Sequence, residues 1–151
     1  MPALPFPLVE ASGSLDGHAS YYGGKFHGRR TASGERYNKL ALTAASNRFP
    51  LNARLAVRRE DTNRCIVVRN TDRMHPRHRS RIIDLSVAAA STLEMLRAGV
   101  VRVQVAMLPD HVAANDESAC LAAFVVAPES CADCGRPQEF EEIETPLFSD
   151  P

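Results

Sequence analysis

Between Lys39 and Leu108 the sequence offers many short strand-like runs and one helix-like run, and that ratio most constrains the fold. Lys39–Ala45, Arg54–Arg59 and Arg64–Asn70 are each six or seven residues of β-type composition. That length suits a strand and is too short for an ordinary helix. "RLAVRRE" partly alternates, as a half-buried strand should. "VVRVQVAML" sets Val101, Val103 and Val105 against Arg102 and Gln104, a strand with one wet face. Only "DLSVAAASTLEML" reads as a helix. Asp84 or Ser86 can cap it, its interior is alanine and leucine, and Gly99 supplies a stop. Short strands around one short α-helix predict an all-β fold, a small barrel.

The flanks differ in texture from this body. Residues 1–14, with three early prolines and no basic flank, are expected to form a flexible leader and do not read as a signal peptide. Residues 15–109 form the expected barrel domain, and 110–151 a C-terminal extension, acidic and partly disordered. Within that extension Leu121–Ala127 is the longest apolar run, far short of the ~20 residues that cross a bilayer. It suits an added strand or edge. The net charge of zero hides a split: residues 1–109 carry 17 Lys/Arg against 8 Asp/Glu, and residues 110–151 carry 1 against 10. A basic body with an acidic tail suits either a polyanionic partner screened by the tail, or merely a solvated body and tail. No recognised motif and no row of interleaved aromatics points to nucleic acid.

Four cysteines bear on compartment: Cys65, Cys120, Cys131 and Cys134. "CADC" is half a zinc site; Cys120 could add a third ligand, but a fourth is missing. No metal and no cofactor is expected. A disulfide involving Cys120, Cys131 or Cys134 fits an exported protein, and free thiols fit a cytoplasmic one. Cys65 opens "RCIVVRN" and reads as a buried small hydrophobe.

Three stretches hold the polar residues that need a chemical explanation. In "ASYYGGKFHGRRTASGERY" the glycines permit tight turns and close approach of a ligand to the main chain. Tyr21 and Tyr22 could stack on a sugar ring, and Glu35 ends the "TASGE" turn. In "VVRNTDRMHPRHRSRIIDLS", Asp72 follows a strand, stands near Arg69 and Arg73, and precedes a proline-containing loop. The neighbouring arginines would lower its pKa and burial would raise it. Glu35 and Asp72 form a candidate carboxylate pair for a glycosidic bond, one giving the proton and the other steadying charge or acting as base. The third stretch is "ALTAASNRFP", where Ser46 stands.

These motifs taken together, "ASYYG", "FHGR", "TASGE", "LTAA" and "R.IDLS" in this order, closely resemble the rare lipoprotein A (RlpA) family. The resemblance runs from about Gly17 to Leu108. It implies a six-stranded double-psi β-barrel, related to expansins, barwin-like domains and family 45 endoglucanases. Active members of that family are septal lytic transglycosylases. They cut between MurNAc and GlcNAc in peptidoglycan lacking stem peptides, and the MurNAc 6-hydroxyl closes on its own anomeric carbon to give a 1,6-anhydro product. The family's catalytic glutamate, histidine and aspartate correspond by motif to Glu35, Ser46 and Asp72 here.

The chain departs from the family at three places. Ser46 replaces the histidine, and a serine carries no proton near neutral pH, although it still donates a hydrogen bond. "DRGPF" becomes "DRMHP", so Met74 and His75 stand where a glycine and a proline shape the loop. "LPFGT" becomes "FPLNA" at 49–53, with loss of a glycine. His75, three residues beyond Asp72, could restore a proton carrier from another direction. "RMHPRHRSR" holds four arginines and two histidines, a rim that would attract glycan carboxylates.

Two readings follow. In one, the chain is a lytic transglycosylase with Asp72 as general acid/base and Glu35 assisting, while Ser46 only hydrogen-bonds. Tyr21, Tyr22, Arg73 and His75 then bind substrate. In the other, it is a catalytically lapsed, expansin-like module that grips glycan without cutting it. Either way the partner is the peptidoglycan glycan strand, with cell-division or envelope proteins as further candidates. The location is the periplasm or envelope if an export signal is missing from this chain, and the cytoplasm as it stands. A cytoplasmic or phage-borne relative, its acidic tail folded back on the barrel, is a third reading.

Overall fold

The computed structural model describes residues 13–75, 80–113 and 115–125. Six strands, β1 Ser14–Tyr21, β2 Thr43–Ala45, β3 Arg54–Arg59, β4 Cys65–Asp72, β5 Arg81–Leu85 and β6 Val101–Leu108, close into a barrel in the order β1-β5-β2-β4-β3-β6. β1 runs parallel to β5 and β2 parallel to β4, while the other neighbours are antiparallel. Among the described residues, two short α-helices, α1 Val87–Thr92 and α2 Glu117–Ala122, and a 3-10 turn at Gly24–Phe26 complete it.

The alternation of β6 is realised. Val101, Val103 and Val105 point into the barrel and Arg102 points to solvent. With Phe49, Leu55, Val57, Ile83, Leu85, Leu93 and Met95 they form one continuous core. Each large apolar side chain there contributes roughly 1.5–3 kcal/mol through burial. Ser86, not Asp84, caps α1: its Oγ accepts from Ala89 N and donates to Ala41 O at 2.6 Å.

Five sequence expectations are corrected. The expected helix from Asp84 shortens to Val87–Thr92, because Asp84 and Leu85 pair with β1 and β2 as strand residues. The strand from Lys39 shortens to Thr43–Ala45. β1 begins within the expected leader and runs through a glycine. Gly17 is required there, since a Cβ at that position would meet Ile82 Cγ2 at 2.7 Å. The apolar run at Leu121 continues a second helix rather than a strand, and the buried Cys120 packs that helix on β3 and β4. Cys65 is buried as expected but is not a lone hydrophobe. It forms a disulfide with Cys120, Cα to Cα 5.8 Å, which fastens α2 to the start of β4. Cys131 and Cys134 lie outside the described residues.

Candidate active site

β2 is the shortest strand and lies between β4 and β5. At its end Ala45 is in register with Asp72 on one side and Asp84 on the other. A cleft of about 420 Å³ opens there, lined by Tyr22, Phe26, Arg29, Arg30, Thr31, Tyr37, Ala45, Asp72, Arg73, Met74, His75 and Asp84.

The "TASGE" turn holds Asp72 in place. Gly34, at φ 93°, takes the left-handed conformation that the turn needs. Thr31 N and Oγ1 both donate to Glu35 O, and Ser33 N donates to Thr71 O, so the turn lies across the end of β4. Ala32 N then donates to Asp72 Oδ1 at 3.0 Å, and Arg73 N donates to the same oxygen at 2.9 Å. One carboxylate oxygen is thus fixed by two backbone amides.

Glu35 is not among the residues lining the cleft. Its carboxylate is held by both terminal nitrogens of Arg69, at 2.7 and 2.8 Å, and Arg69 also donates to Asn52 Oδ1. The Arg69 hydrogen bonds keep the Glu35 carboxyl below the usual carboxylate range. Asn52 occupies the position of the family's lost glycine, at φ 70°. Asparagine tolerates this left-handed conformation better than most residues, so the turn survives the substitution.

Ser46 is fully buried and turned away from the cleft lining. Its Oγ donates to Ile82 O at 2.8 Å and accepts from Arg48 N at 3.1 Å. It tethers the loop after β2 to the start of β5. His75 is in the cleft wall, next to the buried Met74.

The altered "DRMH" segment is strapped to the 46–50 loop. Asn47 and the Met74 backbone exchange two hydrogen bonds, at 2.8 and 3.0 Å. Arg73 donates to Ser46 O and Phe49 O at 2.7 and 2.6 Å, and Asn70 Nδ2 donates to Phe49 O at 2.9 Å. Arg73 therefore spends much of its guanidinium on the loop, although it lines the cleft. Burial pushes its pKa down and Asp72 opposes that. Residues 76–79 of the basic rim lie outside the described residues.

Tyr21 is directed elsewhere, its hydroxyl donating to Leu96 O at 2.8 Å. Tyr22 faces the cleft. Its ring is 4.5 Å from Tyr37 and edge-on to Phe26. Its hydroxyl is buried without a hydrogen-bond partner. Burial drives its pKa far up, Tyr37, Asp72 and Asp84 add to this, and the nearby Thr43 hydroxyl opposes it without making a well-formed bond. The hydroxyl is a neutral donor beside two carboxylates.

Asp84 is the cleft residue that sequence reasoning assigned elsewhere, as a helix cap. A signal was present, since "RIID", like "VVRNTD", sets an aspartate at the end of a stretch that contains paired β-branched residues. Among the described residues no group of three or more His, Cys, Asp or Glu could hold a metal ion.

Residues 14–105 match the family model described as lytic transglycolase, well over half of the chain. The chain belongs to the RlpA family. The endolytic peptidoglycan transglycosylase RlpA of Campylobacter jejuni is 44% identical over 104 residues, covering 68% of this chain and 38% of that protein. The Pseudomonas aeruginosa (strain PAO1) protein of the same name is 44% identical over 101 residues, covering 66% and 29%. The chain thus spans between 29% and 38% of the length of these two relatives. Among solved structures, the Streptomyces papain inhibitor has a TM-score of 0.55 at 23% identity, over 67% of this chain and 99% of that one. A mutant Clavibacter michiganensis expansin in complex with cellohexaose has a TM-score of 0.53 at 15% identity, over 67% and 53%. That likeness is one of fold, and it agrees with a double-psi barrel.

Proposed function

We propose that this RlpA-family barrel is an endolytic peptidoglycan transglycosylase that cuts MurNAc–GlcNAc bonds in glycan strands lacking stem peptides. The observation carrying the reading is Asp72, at a strand end in the cleft, with Oδ1 fixed by two backbone amides. Its protonated carboxyl gives a proton to the GlcNAc O4 as the C1–O4 bond breaks. The MurNAc O6 then bonds to C1, and the O6 proton returns to the Asp72 carboxylate. No water is consumed and the acid is regenerated. His75, in the same wall, relays the O6 proton to the Asp72 carboxylate in place of the histidine that Ser46 supplants. Glu35 is a positioning residue that acts through Arg69 and the turn over Asp72. Tyr22, in the cleft wall, gives the sugar an aromatic ring to pack against.

The Cys65–Cys120 disulfide supports action in an oxidising compartment, the cell envelope. The second reading, a glycan-binding barrel without catalysis, is favoured by one observation: Ser46 is buried and brings no proton to the cleft.

Digestion of stem-peptide-free peptidoglycan, with mass spectrometry of the soluble products, separates the two. The transglycosylase yields fragments ending in 1,6-anhydro-MurNAc, which disappear in Asp72→Asn. In His75→Ala they fall by about 10²–10⁴-fold, the usual worth of a positioned acid–base group. Glycan pelleting with no product from the wild type would leave the binding module as the function.

A further inference from the structure

Arg29, Arg30 and Arg73 line the cleft, and two of these arginines are committed to the protein itself. Arg30 Nη1 donates to Gly34 O at 2.6 Å, inside the turn over Asp72. Arg73 donates to Ser46 O and Phe49 O. Arg29 is different. Among the described residues its guanidinium makes no hydrogen bond and no ion pair, and it rests over the Phe26 ring, 5.5 Å from the centroid. That contact holds the cation at the cleft wall without neutralising it.

The main chain beneath Arg29 is fixed, although the side chain is exposed. Arg29 N donates to Phe26 O at 3.0 Å, and Arg29 O accepts from Tyr37 N at 2.7 Å. The same segment runs on to Ala32, whose N–H fixes Asp72. An uncommitted guanidinium is thus planted on the segment that anchors the acid. Its planar fork of donors suits a carboxylate better than it suits a hydroxyl. The glycan proposed for this cleft offers such a group on the lactyl ether of each MurNAc. That carboxyl is a free anion where the stem peptide is absent, and a neutral amide where it is present. A stem peptide therefore removes a charge as well as adding bulk.

We infer that Arg29 is a specificity-determining residue of the cleft, which binds the free lactyl carboxylate of MurNAc and so reads the absence of a stem peptide as a charge. The inference rests on the reading that this cleft holds peptidoglycan glycan. Arg29 moves no proton, and the balance of the reaction is unchanged.

The test uses stem-peptide-free glycan in two forms, one with free lactyl carboxylates and one with them capped as methylamides. The preference is the ratio of kcat/KM for 1,6-anhydro product on the two. Wild type is expected to favour the free acid by about tenfold, the scale of one hydrogen bond to a charged group. Support is a fall of at least threefold in that preference in Arg29→Gln, with the methylamide still cut at the wild-type rate. Arg102→Gln, which removes the same charge outside the cleft lining, should keep the wild-type preference. Should Arg29→Gln fail to melt cooperatively, Arg29→Met is read in its place. A smaller fall, an equal loss of rate on both forms, or a matching fall in Arg102→Gln overturns the inference and leaves the transglycosylase reading standing. A wild type silent on both forms removes that reading instead, and the same ratios, taken from pelleting affinities, then decide on Arg29.

Discussion

Ser46 and Glu35 show how a position can keep its place in a motif while its side chain does structural work. Ser46 Oγ bridges Ile82 O and Arg48 N in a fully buried site. An imidazole there has to displace packed neighbours and breaks both bonds. Ser46→His is expected to lose about 2–4 kcal/mol of stability and to gain no activity. Thermal melts beside the glycan assay check both halves. Glu35 bears on pH. Its folded pKa lies below its unfolded value, so the Arg69 pair stabilises the fold above that unfolded value and ceases to as pH falls through the folded one. The pair is half-exposed, and screening holds its worth to about 1 kcal/mol or less. Glu35→Gln should therefore melt slightly below wild type at pH 7, with the gap closing below about pH 4. A gap of constant size across that range would mean that the charge is not what matters.

At the scale of elements, what the sequence made legible depended on whether a segment declares its own structure. β3, β4 and β6 were readable because each carries an uninterrupted or alternating apolar run. β1 was not, because its glycine answers to Ile82 on a strand more than 60 residues away. β5 was absorbed into a helix because its last two residues adjoin a genuine helical run, and only pairing with β1 and β2 separates them. The same tertiary constraint hid Asp84, whereas Asp72 was found from its motif. The Cys65–Cys120 link was equally invisible, since spacing alone does not choose among four cysteines. That link fastens α2 to β4, with Glu117 accepting from Cys65 N at 3.0 Å and bridging Arg64. Breaking it typically costs about 2–4 kcal/mol. Cys120→Ser, or the wild type in reductant, should melt roughly 10–20 °C lower at this domain size. An unchanged melt would show that α2 holds without the bond.

For the whole molecule, charge is the property that no single element carries. Residues 129–151 hold one arginine against seven acidic residues, so their removal takes the net charge from zero to +6. Truncation after residue 128 should strengthen pelleting with glycan bearing lactyl carboxylates at low ionic strength. The difference should fade near 1 M salt, where charges are screened beyond about 3 Å. Equal pelleting at low salt would rule out electrostatic masking by the tail. The barrel's connectivity has a different consequence. Asp72 and Asp84 flank Ala45 only when β2 has β4 on one side and β5 on the other, and β5 itself pairs with β1 across 64 residues, as Ala19 with Ile83. Such non-local pairings form late and slowly. A nascent chain that has not yet closed its barrel has no cleft, so the site comes into being only when synthesis and closure are complete.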